Sequence, residues 1–480
     1  MHGVTTKQYR NDFTLADGQT DVIAALVTVP TFLLKEEYKT LNKPVPIRNY
    51  KDLAAYCGQN LPDYTGYDAI EAILKESGGA TVYMINVFDP ATHKTAVEEA
   101  TVTLANGKYA INKAGVTDLT VKNGDTAGTE GTDYTVTEED GKTVVTLTES
   151  AFSGATVTSV KIAYSYADTT KVKASDFVGS VDEDGIRTGA KAIYNIPVLY
   201  GDDVNIIIAP TFSALKAVRD ELTAIAEDFK ARTFLDVPAG TRVNAAITGR
   251  TTATEKADLT CTSKYATIAM PLVYRYNQNT DENELRPLSP ALAGLRVKLN
   301  REQNIAKSLD NTPLTTVKGL EYPVQWLLNK EDTEAGALNA KGITTVINYK
   351  GEYRTWGGRN CAFPAKTGIE TFDSPVDTAN FIEKTIENGS FVLVGKSVTR
   401  AFIDNVLEQI RAKFNTWQNP ENQLIVGGSV WYDESLNPAD ELANGHIIFS
   451  YKFCPPPVAE HIEYYSYIDI SLITQALGAE

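Results

Sequence analysis

Val204-Asn205-Ile206-Ile207-Ile208-Ala209 is a nearly continuous apolar run. Successive side chains of a strand point to opposite faces, so a strand this apolar is covered on both, as in the middle of a parallel sheet. The period then changes. Leu215, Val218, Leu222, Ile225 and Phe229 recur at three- and four-residue steps, which predicts an amphipathic helix, with Thr211 placed to cap it. Thr233-Phe234-Leu235-Asp236-Val237 predicts the next strand. Strand, helix, strand is the repeating unit of a doubly wound α/β sheet.

The same alternation extends in both directions. Upstream, 21–27 reads as a buried strand, 50–56 and 67–75 as helices, and 80–88 as a second buried strand after Gly78-Gly79. Downstream, 266–273 reads as a strand and 289–299 as a helix. This predicts an α/β core built from residues 21–92 and 174–370.

The interruption has its own grammar. From His93 to Lys173 the chain is rich in Thr, Val, Gly and Asp, with turn signals at Asn106-Gly107, Asn123-Gly124, Asp140-Gly141 and Ser153-Gly154. Short alternating runs lie between them, at 101–104, 133–136, 143–147 and 160–166. Short strands at regular spacing predict a small antiparallel β-sandwich, here inserted as a surface module over 93–173. From about Thr371 the pattern shifts again, to two helices (375–394 and 398–414), a strand at 423–432 and a terminal stretch. Residues 371–480 therefore read as an α+β domain, and the chain as multi-domain α/β plus α+β.

The terminal stretch divides at three prolines. Before them, Ile447, Phe449, Tyr451 and Phe453 alternate and share one face of a strand. Pro455, Pro456 and Pro457 remove three backbone donors, so no ladder crosses them. Beyond them, 461–472 alternates again, with Ile462, Tyr464, Ile468, Ile470 and Leu472 on one side. A strand so close to the chain end needs a sheet to join, its own or another copy's. Residues 1–20 are polar and extended in character, a flexible arm or a strand lent to a neighbour.

Composition narrows the function. At 480 residues the chain exceeds one ordinary core and predicts about two to four domains. A net charge of −16 excludes an ordinary nucleic-acid binder, which needs a basic surface. Cys57, Cys261, Cys361 and Cys454 lie far apart in sequence with no CxxC, and no basic region precedes an apolar run at the start. Reduced, cytoplasmic thiols are the plain expectation. The early apolar stretch at 22–34 falls short of the roughly twenty residues a bilayer needs.

No motif assembles a catalytic site. Gly395-Lys396-Ser397 resembles the end of a phosphate loop, but the first glycine of that loop would fall at Ser390, and Phe391-Val392-Leu393-Val394 is too apolar to bare its amides to phosphate. A buried segment ending in a turn is the plainer reading. Asp182-Glu183-Asp184-Gly185 lacks the spaced ligands of a calcium loop and reads as a solvated turn. His2, His93, His446 and His461 are not spaced as metal ligands, and GxSxG and GxGxxG are absent. No metal and no cofactor is expected. A large acidic body with extended ends points to a structural, assembling protein.

Several ordered stretches carry a family resemblance. His2-Gly3-Val4, the strand at 21–27, the 67–73 helix before Val82-Tyr83-Met84-Ile85-Asn86-Val87, Gly185-Ile186-Arg187-Thr188-Gly189 and Ile206 to Ser213 resemble the sheath subunits of contractile phage tails. So do the tryptophan-glycine segment Tyr353 to Cys361 and the proline step Cys454 to Ile462. The resemblance covers most of the chain except 93–173.

It implies a helical homo-polymer around an inner tube, in a myophage tail or phage-tail-like bacteriocin, that contracts and drives the tube through a cell envelope. It also implies strand exchange between subunits. The donors would be the N-terminal arm, with Val4 and Tyr9, and the terminal strand, with Ile462, Tyr464, Ile468 and Ile470. The acceptor sheet would include Ile447, Phe449, Tyr451 and Phe453. Implied partners are further copies, the inner tube protein, and baseplate and tail terminator proteins, with assembly in the host bacterial cytoplasm and neither nucleic-acid binding nor membrane insertion. The helix carrying Arg400, Glu408, Arg411 and Lys413 is a candidate tube contact, set against an ordinary solvated helix face. The competing readings are an α/β enzyme with an unrecognised acidic site and a surface adhesion protein.

Overall fold

The computed structural model describes residues 15–476, apart from positions 140 and 155. The chain opens into the sheet at its centre. β1 (Val22–Val27) and β3 (Thr81–Asn86) lie parallel, and β2 (Pro44–Ile47) runs antiparallel outside β3. Between β2 and β3 come two helices, Tyr50–Cys57 and Gly66–Ser77. Asn49 starts the first by accepting from the backbone N–H groups of Lys51 and Asp52, a standard solution for orphan donors at a helix start.

The chain then leaves the sheet. β4 (Lys94–Thr103), β5 (Lys108–Ile111), β6 (Val116–Asn123), β7 (Thr126–Ala127), β8 (Tyr134–Glu139), β9 (Lys142–Leu147) and β10 (Ser159–Ala167) form two antiparallel sheets, ordered β4-β10-β6-β7 and β5-β9-β8. Ile111 and Val145 from one sheet and Val121, Val160 and Ile162 from the other share one small core.

On return the chain adds β11 (Ile206–Ile208), β12 (Arg232–Asp236) and β13 (Ala266–Ala269) in parallel on the far side of β1. β14 (Val273–Asn277), β15 (Glu282–Arg286) and β16 (Gly319–Leu320) form a separate antiparallel sheet, and β17 (Ile343–Tyr349) and β18 (Glu352–Trp356) complete the central one. The central order is β18-β17-β13-β12-β11-β1-β3-β2, with only the two edge strands antiparallel. Alternation accounts for its two apolar layers. Val22, Ala24 and Leu26 face one, Ile23, Ala25 and Val27 the other, and all six are buried.

Two expectations fail here for backbone reasons. The 266–273 stretch is not one strand, because Pro271 has no N–H to continue the ladder; β13 stops before it and β14 joins the other sheet. Thr211 does not cap the following helix. It sits at φ 71°, its N–H donates to Asp236 Oδ2 at 3.2 Å, and a short turn at Phe212–Ala214 intervenes before the Lys216–Asp228 helix.

The last part of the chain holds the helices Asp373–Ser390 and Arg400–Trp417 and a hairpin of β19 (Gly427–Tyr432) and β20 (Phe449–Cys454). Phe391 to Val394 is not the buried segment expected. It forms a turn on the surface, with Phe391 78% and Val394 81% exposed. A ladder of polar side chains ties this part to the central sheet. Arg232 at the start of β12 donates to Asp373 (3.0 Å) and Asp377 (2.9 Å through Nε), all three buried.

Candidate assembly interface

The N-terminal end of the described chain packs on the helices beneath the β19–β20 hairpin, and the C-terminal end leaves it. The Arg400–Trp417 helix presents Ile403, Val406, Ile410 and Phe414 to the interior at three- and four-residue steps. Phe414 lies edge-on to Tyr451 and Phe453, with ring centroids 6.2 and 6.5 Å away. Gly428 makes this possible, since a Cβ there would stand 2.7 Å from the Phe414 ring. Phe449, Tyr451 and Phe453 thus pack on the helix layer, and Ile447, just ahead of the strand, joins the same cluster. Burial pushes the Tyr451 phenol up from its ordinary pKa, as expected of a ring on the covered side.

The hairpin is short of neighbours. Among the described residues neither outer edge of β19 or β20 pairs with a third strand. A two-stranded ribbon is marginal by itself, and an open edge is a template for another chain.

Leu15 is buried in the same cluster, packed against Gly389 of the Asp373–Ser390 helix. Asp17 pairs with Lys413 at 2.8 Å, and the Gly18 N–H donates to Thr385 Oγ1 at 3.3 Å. The N-terminal arm therefore departs from the layer under the hairpin. Val4 and Tyr9 lie outside the described residues.

The other end is directed away from its own hairpin. After Pro455–Pro457, Glu460 is gripped by Arg359 through Nε at 2.9 Å, and His461 Nδ1 lies 3.1 Å from Glu331. The root of the tail is thereby held on the central body. Beyond it Ile462 (64% exposed), Tyr464 (89%), Ile468 (96%) and Ile470 (75%) stand in water, without a strand partner. The extended reading stops short of Leu472, because a helix begins at Ser471 (Ser471–Ala476). Large exposed apolar patches are, in general, found at protein contact sites.

The candidate tube-contact residues divide. Arg400, Glu408 and Arg411 are exposed on one side of their helix, whereas Lys413 turns to Asp17 and the Trp417 ring, 5.7 Å from its centroid. Sequence reasoning missed the Arg359–Glu460 grip, which spans 101 positions and has no local signal. It also missed Leu15, an isolated apolar residue in a polar arm.

The central sheet has the crevice at which α/β proteins bind ligands, between β1 and β11 where the strand order reverses. Rings occupy its surroundings. Phe212, just past β11, stacks on Phe177 at 3.9 Å, and Phe88, just past β3, meets Tyr64 edge-on at 5.3 Å. Asp236, at the end of β12, is buried and accepts from Ser289 N–H (2.9 Å) and Ser213 Oγ (3.2 Å). Burial lifts its carboxyl above the ordinary range, and its partners are structural hydroxyls and amides. Among the described residues no group of three or more His, Cys, Asp or Glu is arranged to hold a metal ion, and no helix is long and apolar enough to cross a membrane.

Comparison with known proteins gives one answer. The family described as phage tail sheath protein, central domain, matches residues 182–361. The tail sheath protein of Burkholderia phage BcepMu is 33% identical over 425 residues, covering 87% of this chain and 88% of its own length. That of Escherichia phage P2 is 25% identical over 288 residues, covering 60% and 69%. Among solved structures, the contracted sheath complex of the PVC extracellular contractile injection system superposes with TM-score 0.59 at 12% identity, over 98% of each chain. The contracted helical sheath of the anti-feeding prophage gives TM-score 0.58 at 14% identity, over 97% of this chain and 99% of that one.

Proposed function

The chain belongs to the phage tail sheath family, and from that membership we propose how its own residues build the polymer. It is a structural subunit of a contractile tail sheath, a helical assembly that shortens and drives an inner tube through a target envelope. The competing enzyme reading finds no support, since the relatives are tail sheath proteins.

The subunits are joined by strand exchange. The tail from Ile462 to Ile470 leaves its own molecule and pairs with the open edge of a β19–β20 hairpin in a neighbour, while the arm carrying Val4 and Tyr9 adds to the same acceptor. Backbone hydrogen bonds give the affinity, and alternate side chains set the register. The observation that carries this reading is the mismatch within one chain: an apolar row in the tail that is largely exposed, and a two-stranded sheet whose outer edges pair with no third strand among the described residues. Because donor and acceptor surfaces differ, the link is heterologous and propagates as a helix.

Division of labour follows. Residues 21–92 with 174–370 act as the rigid α/β body, 371–480 as the connecting domain nearest the tube, and 93–173 as an outward module. The separate apolar clusters of these parts support that division. Arg400, Glu408 and Arg411 are the candidate tube contacts, baseplate and terminator proteins bound the polymer, and assembly takes place in the host cytoplasm. Contraction needs no nucleotide, since the free energy is stored when the extended lattice forms.

Deletion of residues 458–480 tests the strand exchange. The truncated chain is expected to remain a folded monomer, by circular dichroism and sedimentation, and to form no cylinders by electron microscopy. Cylinders of normal length from that chain would overturn the donor assignment.

A further inference from the structure

Cys261 and Cys361 are 100 positions apart in sequence, yet the fold brings the two residues together at one guanidinium. One guanidinium locks the arrangement. Arg250 donates through Nη1 to the carbonyl of Cys261 and through Nη2 to the carbonyl of Cys361, each at 2.5 Å. Cys361 is fixed further by its N–H, which donates to Ala266 O at 2.8 Å at the head of β13. Cys261 lies in the irregular stretch between the Val243–Thr251 helix and β13, and is only partly buried, so it offers a way in from solvent; Cys361 is fully buried behind it.

The two sulfurs are chemically unequal. The neighbouring Cys361 thiol, the Ser263 N–H and the Arg250 charge hold the Cys261 thiol below its ordinary pKa despite burial. Burial and the neighbouring Cys261 thiol push Cys361 up. An accessible thiolate backed by a buried resolving thiol is the arrangement of a reversible dithiol. The other two cysteines lack it. Cys57 is buried against Met84 Sδ at 3.3 Å, and Cys454 is exposed without a cysteine beside it.

We propose that Cys261 and Cys361 are a redox pair that closes to an intrachain disulfide by exchange with a small disulfide of the glutathione class. The Cys261 thiolate attacks one sulfur of the oxidant, forming a mixed disulfide and expelling one thiolate. Cys361 gives up its proton and attacks the Cys261 sulfur, expelling the second. The protein loses two protons and two electrons, and one small disulfide becomes two thiols. The bond staples the 252–265 stretch to the 357–364 segment. Arg359, which grips the tail at Glu460, stands two residues from the cross-link, so oxidation also stiffens the anchorage of the tail.

The test treats the full chain with glutathione disulfide under native conditions, then alkylates, digests without reductant and maps the cysteines. A peptide linking 261 to 361 is expected, with Cys57 still free and Cys454 at most glutathionylated. In Cys361→Ser, Cys261 should instead retain glutathione as a stable mixed disulfide. The linked chain should unfold at higher denaturant than its reduced form. Complete alkylation of Cys261 and Cys361 after treatment, or glutathione retained on Cys261 in the unaltered chain with no linked peptide, would overturn the proposal.

Discussion

Arg359 and Glu460 form a forked ion pair. Nε lies 2.9 Å from one carboxylate oxygen and Nη2 2.5 Å from the other, while the guanidinium sits over the rings of Phe363 and Phe372 at 4.2 and 4.0 Å. This contact fixes where the tail leaves the body, but a partly exposed ion pair adds at most about 1 kcal/mol to stability. Glu460→Ala should therefore barely change the denaturation midpoint of the monomer, while amide exchange across 458–462 speeds up in hydrogen–deuterium mass spectrometry. Unchanged exchange there would mean that the grip does not hold the tail.

That pair also marks what the sequence could and could not disclose. The parallel sheet was legible because Ile206 to Ile208 and Val22 to Val27 are apolar on both alternating faces, a pattern few other environments tolerate. The insert was legible from its turn dipeptides. The Phe449-Tyr451-Phe453 face of the hairpin, which packs on its own helix layer, could be read from a period of two. The grip of Arg359 on Glu460 could not, nor could the meeting of Cys261 with Cys361, because both depend on chain crossings a hundred residues apart. Thr211 and Pro271 misled for a local reason: backbone groups, not side-chain patterns, decide where a helix starts or a ladder ends.

Arg232 is the buried tie between the central sheet and the Asp373–Ser390 helix. Removing it leaves the buried Asp373 and Asp377 without the cation they bond directly. Arg232→Met is expected to cost about 3–5 kcal/mol, read as a lower urea midpoint. The triple variant that also carries Asp373→Asn and Asp377→Asn should regain part of the loss. A single variant as stable as the parent would show that the tie is dispensable.

Lys384 gives a pH signature. It donates to Val204 O at 2.8 Å, and burial, with Lys230 nearby and Asp203 opposing, brings its pKa down from 10.5 to about 8. Between those values the unfolded chain binds a proton that the folded chain does not, so stability rises with pH across that window and is lost as pH falls through about 8. The shift corresponds to ~3 kcal/mol as an upper bound for a group partly open to water. Lys384→Met should flatten the rise between pH 8 and 10 in urea titrations, and an unchanged slope would assign it to other groups.

Phe391, Val392 and Val394 form an exposed apolar turn beside the end of the Asp373–Ser390 helix. Phe391→Ser should leave monomer stability within about 0.5 kcal/mol, because the residue is 78% exposed. If the turn is covered by another subunit, the same change will lower the yield of cylinders counted by electron microscopy. Equal yields at equal protein concentration would remove this surface from the assembly contacts.

The insert should be separable from the body. Its first and last strands lie side by side, with Lys94 opposite Ala167 in the ladder, and the Asp168 N–H donates to His93 O at 2.9 Å. Entry and exit are therefore adjacent, and a short linker can replace everything between them without stretching the chain. Its core is its own, built on Val121, Val145 and Ile162. One loss is cover for Phe32, whose ring comes close enough to Gly115 that a Cβ there would stand 2.7 Å away. Uncovering one side of that ring costs at most about 2 kcal/mol. A chain in which Gly-Gly replaces 95–166 should fold cooperatively, with a slightly lower midpoint, and still form cylinders, thinner than those of the full chain if the insert faces outward. A soluble, folded chain that makes no cylinders would instead place the insert among the contacts that build the lattice.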